Sequence, residues 1–245
     1  MTNSYRPHSR TVDQRMRRAL DVAAALTGLA AFAPVILVIA IMIRVESPGP
    51  VFFRQLRLGR GGRHFRLYKF RKFYHGTNLH GWGVTLQDDP RMTHIGRLLE
   101  RSKLDELPQL WNILVGDMSL VGPRPETLDF ADCFEGRYAR VLDYLPGLFG
   151  PSQAMFRNEG ALYPPDRDPH EFYRTILFPA KARIDLQYFA RRSLISDIGW
   201  IVRGILAVIG FPVFRDGGVS RVEAAENWLR RDRRMASAVV TKKRD

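Results

Sequence analysis

The chain has 245 residues, 45% of them apolar and 26% charged, which suits one main folded domain with appendages and excludes a disordered or collagen-like protein. Its single cysteine, Cys133, excludes an intrachain disulfide and a thiolate-rich zinc site, and fits a reducing compartment. The net charge of +13 points to an anionic partner, but residues 1–18 carry +4, 44–72 carry +8 and 213–245 carry +4, while 73–212 comes to −2. That distribution argues against a basic nucleic-acid-binding face on the core, so no nucleic acid is expected as a partner.

Between the first two basic blocks lies Val22–Ile43, 22 residues without a charge. As a helix it reaches roughly 33 Å, enough to cross a bilayer core. A signal peptide fits poorly, because Arg44 and Glu46 follow in place of a small-residue cleavage site. Arg15, Arg17 and Arg18 precede the run and Arg44, Arg54 and Arg57 follow it, so both flanks carry the charge signature of the cytoplasmic side. Pro34, near the middle, removes a backbone hydrogen bond and pushes against the carbonyl of Ala30. A re-entrant helix bent near Pro34 accommodates these facts; a single span and a buried core helix are the alternatives.

Ser47-Pro48-Gly49-Pro50 then stops the helix. Val51–Arg57 and His64–Phe70 read as two strands of a hairpin. Arg54, Arg57, Arg60, Arg63, Arg66 and Lys69 recur every third residue, matching neither strand nor helix, and read as charge facing lipid headgroups or phosphates. Residues 73–93 look like a loop and Ile95–Arg101 like a short helix. Asp105–Val115 is the stronger helix, with Leu107, Leu110, Trp111 and Leu114 on one face. A start near Asp105 puts Pro108 in the first turn, where its missing N–H is tolerated, and places Asp105 and Glu106 where the helix dipole favours carboxylates. Ala180–Arg192 and Ser196–Ile209 look helical; the second carries an apolar face and suits either an interfacial membrane helix or core packing. Residues 219–238 form a further candidate helix.

Chemistry concentrates between Arg101 and Pro125. Asp105-Glu106 is an adjacent carboxylate pair, equally readable as helix-start charge. Pro123 and Pro125 restrict the chain around Arg124, which then presents its fork of donors at little ordering cost, as bidentate phosphate recognition requires. Gly59–Gly62 lacks the Lys-Ser/Thr ending of a P-loop, and the chain holds neither H-E-x-x-H nor G-x-S-x-G. These features suggest transfer of a phosphorylated group between anionic substrates at a membrane. The non-enzymatic alternative is a membrane-anchored scaffold binding anionic lipid or polysaccharide.

Five segments, S-P-G-P-V-F-F-R-Q at 47–55, Y-K-F-R at 68–71, D-P-R-M-T-H-I-G-R at 89–97, L-D-E-L-P-Q-L-W-N at 104–112 and G-D-M-S-L-V-G-P-R-P at 116–125, closely resemble the bacterial sugar transferase family, monotopic polyprenyl-phosphate phosphoglycosyl transferases. The resemblance covers roughly residues 15–210. It implies transfer of a sugar phosphate from a UDP-sugar to polyprenyl phosphate with release of UMP, dependent on Mg2+, as the first step of exopolysaccharide, capsule or other glycoconjugate synthesis. By the same resemblance Asp105 is the nucleophile of a covalent aspartyl phosphosugar intermediate. Glu106 helps hold magnesium beside Asp105 or manages a proton, and Lys69, Arg124 and Arg157 bind substrate phosphates or the sugar nucleotide.

The implied protein is α+β and predominantly helical: a basic N-terminus with a re-entrant membrane helix (1–46), a cytoplasmic transferase domain with a small β-hairpin and interfacial amphipathic helices (47–212), and a basic C-terminal tail (213–245). It would sit on the cytoplasmic face of the bacterial inner membrane, in contact with membrane lipids. The chain departs from the family pattern at F-R-K-F (70–73, usually F-R-T-M), at P-S-Q-A-M-F-R (151–157), at Glu100, where a basic residue is common, and at Ala33-Pro34, usually Ser-Pro. These changes bear on sugar specificity and on the geometry of the bend more than on reaction type.

Overall fold

The computed structural model describes residues 7–76 and 89–208, together with positions 211 and 227. Tyr5, the middle of the 73–93 loop, the candidate helix at 219–238 and nearly all of the 213–245 tail lie outside the described residues.

Alanine, leucine, methionine and arginine, which lose little freedom in a helix, make up 19 of the 40 residues of Pro7–Glu46. Helix α1 runs unbroken over Pro7–Glu46 with Pro34 inside it. Within it Val12–Glu46 is long and apolar enough to cross a membrane, and its most apolar 18 residues reach a mean hydropathy of 2.6. Both ends of α1 are fastened to the rest of the protein. Toward its start, Arg18 donates to the carbonyls of Ile113 (2.5 Å) and Leu114 (2.7 Å), and Asp21 Oδ1 accepts from the Leu120 N–H at 2.8 Å. Toward its end, Ile39 and Ile43 pack with Phe70 and Leu99, and Glu46 accepts from the N–H groups of His94 and Ile95. Residues 30–35, between the two attachments, are exposed on every face.

Arg71 turns the chain after α1: its guanidinium donates to the carbonyls of Ser47 (2.8 Å) and Pro48 (2.6 Å) and to Ser47 Oγ. Strands β1 (Phe52–Leu58) and β2 (His64–Phe70) then form the expected antiparallel hairpin, one residue later on its first strand than the hydrophobic pattern suggests. The arginine series divides by strand pleat. Arg57 and Lys69 turn inward, whereas Arg54, Arg60, Arg63 and Arg66 are exposed.

Helix α2 spans His94–Ser102, its N-terminus capped by Thr93 Oγ1, which accepts from the Gly96 N–H at 2.8 Å. The helix expected from Asp105 to Val115 is divided in the structure. Leu104–Glu106 is a separate 3-10 turn, and α3 covers only Gln109–Val115 with Pro108 as its N-cap. The physical reason is the ring of Pro108: the missing N–H is tolerated there, but the ring crowds the carbonyl of Leu104, which is instead taken by the Leu107 N–H in a tighter 3-10 bond before the helix restarts. Asp105 and Glu106 therefore do not sit in the first turn of an α-helix, and its dipole does not account for them. Asn112 of α3, fully buried, ties the helix to the hairpin by accepting from the Tyr68 N–H (3.0 Å) and donating to the Arg66 carbonyl (2.7 Å). Gly116 ends α3 at φ 96°, a conformation that only glycine adopts without strain.

A second sheet, not evident in the sequence, pairs β3 (Ser119–Val121) in parallel with β4 (Gly147–Phe149). Its strands approach so closely that a Cβ on Gly122 would stand 2.1 Å from the Leu145 carbonyl oxygen. The short helices α4 (Pro151–Met155) and α5 (Pro169–Phe172) follow, then a π-turn over Tyr173–Leu177 leading into α6 (Phe178–Phe189). Helix α7 (Leu194–Val208) closes the described body. The architecture is predominantly helical with two small two-stranded sheets, in agreement with the α+β expectation. Its core divides into an aromatic cluster around Phe130, Tyr173 and Phe178, a second around Leu67, Ile113 and Met118 beneath α1, and a third around Ile39, Ile43, Phe70 and Leu99.

Candidate active site

The 3-10 turn that interrupts the expected helix is what sets the carboxylate pair. Lys103, at φ 61°, reverses the chain after α2, and the Glu106 N–H then closes the turn on the Lys103 carbonyl. Asp105 is 1% exposed. Its Oδ2 lies 3.8 Å from both Lys69 Nζ and Lys72 Nζ, while its Oδ1 is buried without a hydrogen-bond partner. Glu106 Oε1 accepts from Lys69 Nζ at 2.7 Å and from Arg124 Nη2 at 3.2 Å.

Each cation is placed by the fold. Lys69 comes from the inward face of β2, and Lys72 from the chain just beyond it, where Glu100 of α2 pairs with its ammonium. Glu100 also holds Lys103 at 3.1 Å. Arg124 follows β3, between Pro123 and Pro125. The hairpin braces that segment: Arg57 Nη1 donates to the Pro125 carbonyl at 3.0 Å, and the Leu58 N–H to the Glu126 carbonyl at 3.0 Å.

Burial and charge act oppositely on the two carboxylates. For Asp105, desolvation prevails over Lys72 and Lys69 and raises its pKa above the ordinary carboxylate value. For Glu106, desolvation is overcome by Lys69 and Arg124, which hold it well below that value. Glu106 is therefore a fixed anion engaged by two cations, and Asp105 a poorly solvated carboxylate with an oxygen to spare. Burial in turn pulls Lys69 below its ordinary value against the attraction of Glu106 and Asp105.

Both carboxylates face a cavity of about 1160 Å³, whose lining also includes Lys69, Lys72, Arg124 and Arg157. Arg157 is half-buried on the far wall, lowered by desolvation and close enough to Glu106 for its charge to act in opposition. All five residues singled out in the sequence thus meet in one cavity. Sequence reasoning missed Lys72, noted only as a departure in F-R-K-F, and the pairing of Glu100 with it. It also missed a buried cluster in the same cavity wall, where Lys181 Nζ donates to Tyr173 Oη (2.8 Å), Glu159 Oε2 (3.0 Å) and Glu126 Oε1 (3.4 Å). Only the tertiary fold brings 126, 159, 173 and 181 together.

Among the described residues no group of three or more His, Cys, Asp or Glu side chains could hold a metal ion. Magnesium asks for less, since it is commonly held by one or two carboxylates with substrate phosphates and water. The unpartnered Oδ1 of Asp105, with Glu106 adjacent, fits that requirement.

Comparison with known proteins matches residues 12–210 to the family model for bacterial sugar transferases. The chain belongs to the bacterial sugar transferase family. Among curated relatives, the UDP-glucose:undecaprenyl-phosphate glucose-1-phosphate transferase of Caulobacter vibrioides is 42% identical over 81% of this chain and 71% of its own length. The exopolysaccharide production protein PSS of Rhizobium leguminosarum bv. phaseoli is 34% identical over 76% and 92% of the two chains. A UDP-N-acetylgalactosamine-undecaprenyl-phosphate N-acetylgalactosaminephosphotransferase of Aeromonas hydrophila is 34% identical over 75% of this chain, but the match spans only 44% of that relative. The names of these sugar transferases differ in the sugar and agree, where they state one, on undecaprenyl phosphate.

Proposed function

We propose that the chain is a membrane-bound polyprenyl-phosphate phosphoglycosyl transferase that moves a sugar phosphate from a UDP-sugar to the lipid carrier and so begins assembly of an exopolysaccharide, capsule or other glycoconjugate. The observation that carries this reading is Asp105: a buried carboxylate with a free oxygen, set between Lys69 and Lys72. A phosphate-binding scaffold needs the cations but has no use for a desolvated carboxylate at their centre, which only repels its ligand.

In the proposed reaction an Asp105 oxygen attacks the sugar-linked phosphorus of the donor, the bond from that phosphorus to the bridging oxygen breaks, and UMP departs with the bond pair. An oxygen of the lipid phosphate then attacks the same phosphorus, and Asp105 leaves as a carboxylate. Lys69 and Lys72 oppose the desolvation that favours a protonated Asp105 and offset the charge of the approaching phosphates. Arg124 offers its planar fork to a phosphate, and Glu106 fixes the orientation of both Lys69 and Arg124. Asp105 and Glu106 would hold Mg2+, which supplies charge neutralisation at the diphosphate. Arg157 lies where it can meet the sugar nucleotide.

The attachment of α1 at both ends supports the re-entrant topology. From Arg18 to Glu46 the helix rises about 42 Å, more than the roughly 30 Å of a bilayer core. A straight span would carry these residues to opposite leaflets, yet both bind the same domain. A dip into one leaflet, bent at Pro34 and with residues 30–35 at its apex, satisfies both. The exposed apolar residues Ile195, Ile198, Val202 and Ile205 support an interfacial position for α7 beside it. The basic flanks support a seat on the cytoplasmic face of the inner membrane.

The deciding experiment incubates the protein with UDP-sugars and records intact mass together with UMP release. An adduct of one sugar phosphate on Asp105 is expected, and Asp105→Asn should show neither adduct nor UMP. Wild-type UMP release by that variant would refute the nucleophile.

A further inference from the structure

The cavity that holds Asp105 is also lined by apolar helical residues which phosphate chemistry leaves unused. Ala24, Gly28 and Phe32, four residues apart on α1, line it from one side, and Ile201, Ile205 and Val208 line it from α7. Glycine lets each helix approach its neighbour there. A Cβ on Gly28 would lie 3.0 Å from Leu110 Cδ1, and one on Gly204 would lie 2.1 Å from the ring of Phe149. At the rim Phe32 is 43% exposed and Ile205 49%. Phe32 stands two residues before Pro34, midway along the uncharged run, so the mouth of the crevice opens at the depth of lipid and not of water.

We propose that this crevice between α1 and α7 is the channel that receives the isoprenoid chain of the acceptor lipid. The proposal rests on the transferase reading above and adds where the acceptor binds. A single cavity lined both by apolar residues of α1 and α7 and by Lys69, Lys72 and Arg124 matches a molecule with a long hydrocarbon tail and a phosphate head. Lateral entry keeps the tail out of water while the phosphate reaches Asp105. The volume of about 1160 Å³ also exceeds the roughly 300–1,000 Å³ typical of a site for one small ligand.

The test uses the full chain in nanodiscs of phosphatidylethanolamine and phosphatidylglycerol, comparing wild type with Ile205→Trp and Phe32→Trp, which fill the crevice from opposite walls. Formation of the Asp105 adduct without acceptor controls for fold and donor chemistry. Consumption of that adduct by long-chain polyprenyl phosphate should slow at least about tenfold, equivalent to about 1.4 kcal/mol. Consumption by a short, water-soluble prenyl phosphate should slow far less. Variants that form adduct and pass it to the long acceptor at the wild-type rate overturn the channel.

A readout independent of turnover uses a diazirine-bearing polyprenyl phosphate, which should label residues 24–32 and 194–208 of the wild type. Labelling there no stronger than with a diazirine-bearing phosphatidylglycerol would show a site for any lipid chain and overturn the assignment. Absence of an Asp105 adduct in the wild type, with that labelling intact, would sink the transferase reading alone.

Discussion

Replacing Gly96 with alanine isolates the packing of α2 against the strand end that carries Lys72. On helix propensity alone Gly96→Ala should stabilise α2 by about 1 kcal/mol. The tertiary structure reverses the sign. A Cβ at 96 would stand 2.0 Å from the Lys72 carbonyl oxygen and 2.9 Å from its Cα, and both atoms are backbone, unable to rotate aside. Reaching an ordinary carbon–oxygen contact of about 3.3 Å opens the helix–strand gap by roughly 1.3 Å. That movement stretches the bond from the Thr93 N–H to the Lys72 carbonyl, now 2.9 Å, and separates Lys72 from Glu100 and Asp105. Overpacking of this kind costs about 1–3 kcal/mol, enough to cancel the propensity gain. A displacement near 1 Å at a catalytic group costs on the order of a hundredfold in rate. Thermal denaturation in nanodiscs and UMP release measure the two effects. A variant with a raised melting temperature and wild-type turnover would show that α2 does not fix Lys72.

Further expectations follow from other parts of the structure. Arg124→Lys keeps the charge but loses the fork that faces Glu106 at 3.2 Å, so UMP release should fall about 10–100-fold with the fold intact, as expected for a lost charge-assisted hydrogen bond; an unchanged rate would refute a bidentate phosphate contact at Arg124. Asp185 is buried, accepts from Ser152 Oγ at 2.8 Å, and is pushed by burial from 3.8 up to about 7. The folded state therefore binds its proton more tightly than the unfolded state does, and the stability conferred by this group declines as pH rises from about 4 to about 7. Asp185→Asn, lacking that titration, should gain on the wild type across the same window in parallel thermal melts, and a constant difference would refute the shift. Single cysteines at Gln14 and Arg63, in a Cys133→Ser background, should react with an impermeant maleimide only in permeabilised cells. Labelling of either site in intact cells would restore a simple membrane span.

Much of this protein is legible in local sequence. The uncharged run between basic blocks, the glycine-rich hairpin turn and the α2 pattern depend on neighbours within a few residues, and each appears in the structure near its expected place. The carboxylate pair and the proline-flanked arginine stand out because they are short, dense and chemically unusual. The parallel pairing of β3 with β4 was not legible: three-residue strands carry no periodicity, and their partners lie 28 residues apart in the chain.

The break before Pro108 shows the boundary most clearly. A hydrophobic face continuous across Leu107, Leu110, Trp111 and Leu114 suggested one helix, but periodicity does not record whether the backbone is continuous, and Trp111 of that face is exposed in the structure. The sequence by itself determined the chemical inventory, an acid pair, a constrained arginine and an apolar segment, since composition and spacing suffice for these. The tertiary structure decided which acid keeps a free oxygen and which is neutralised, because that depends on cations from β2, from the residues just beyond it and from the segment after β3. Such charge balance is set by distances across the fold, to which adjacency in the chain gives no access.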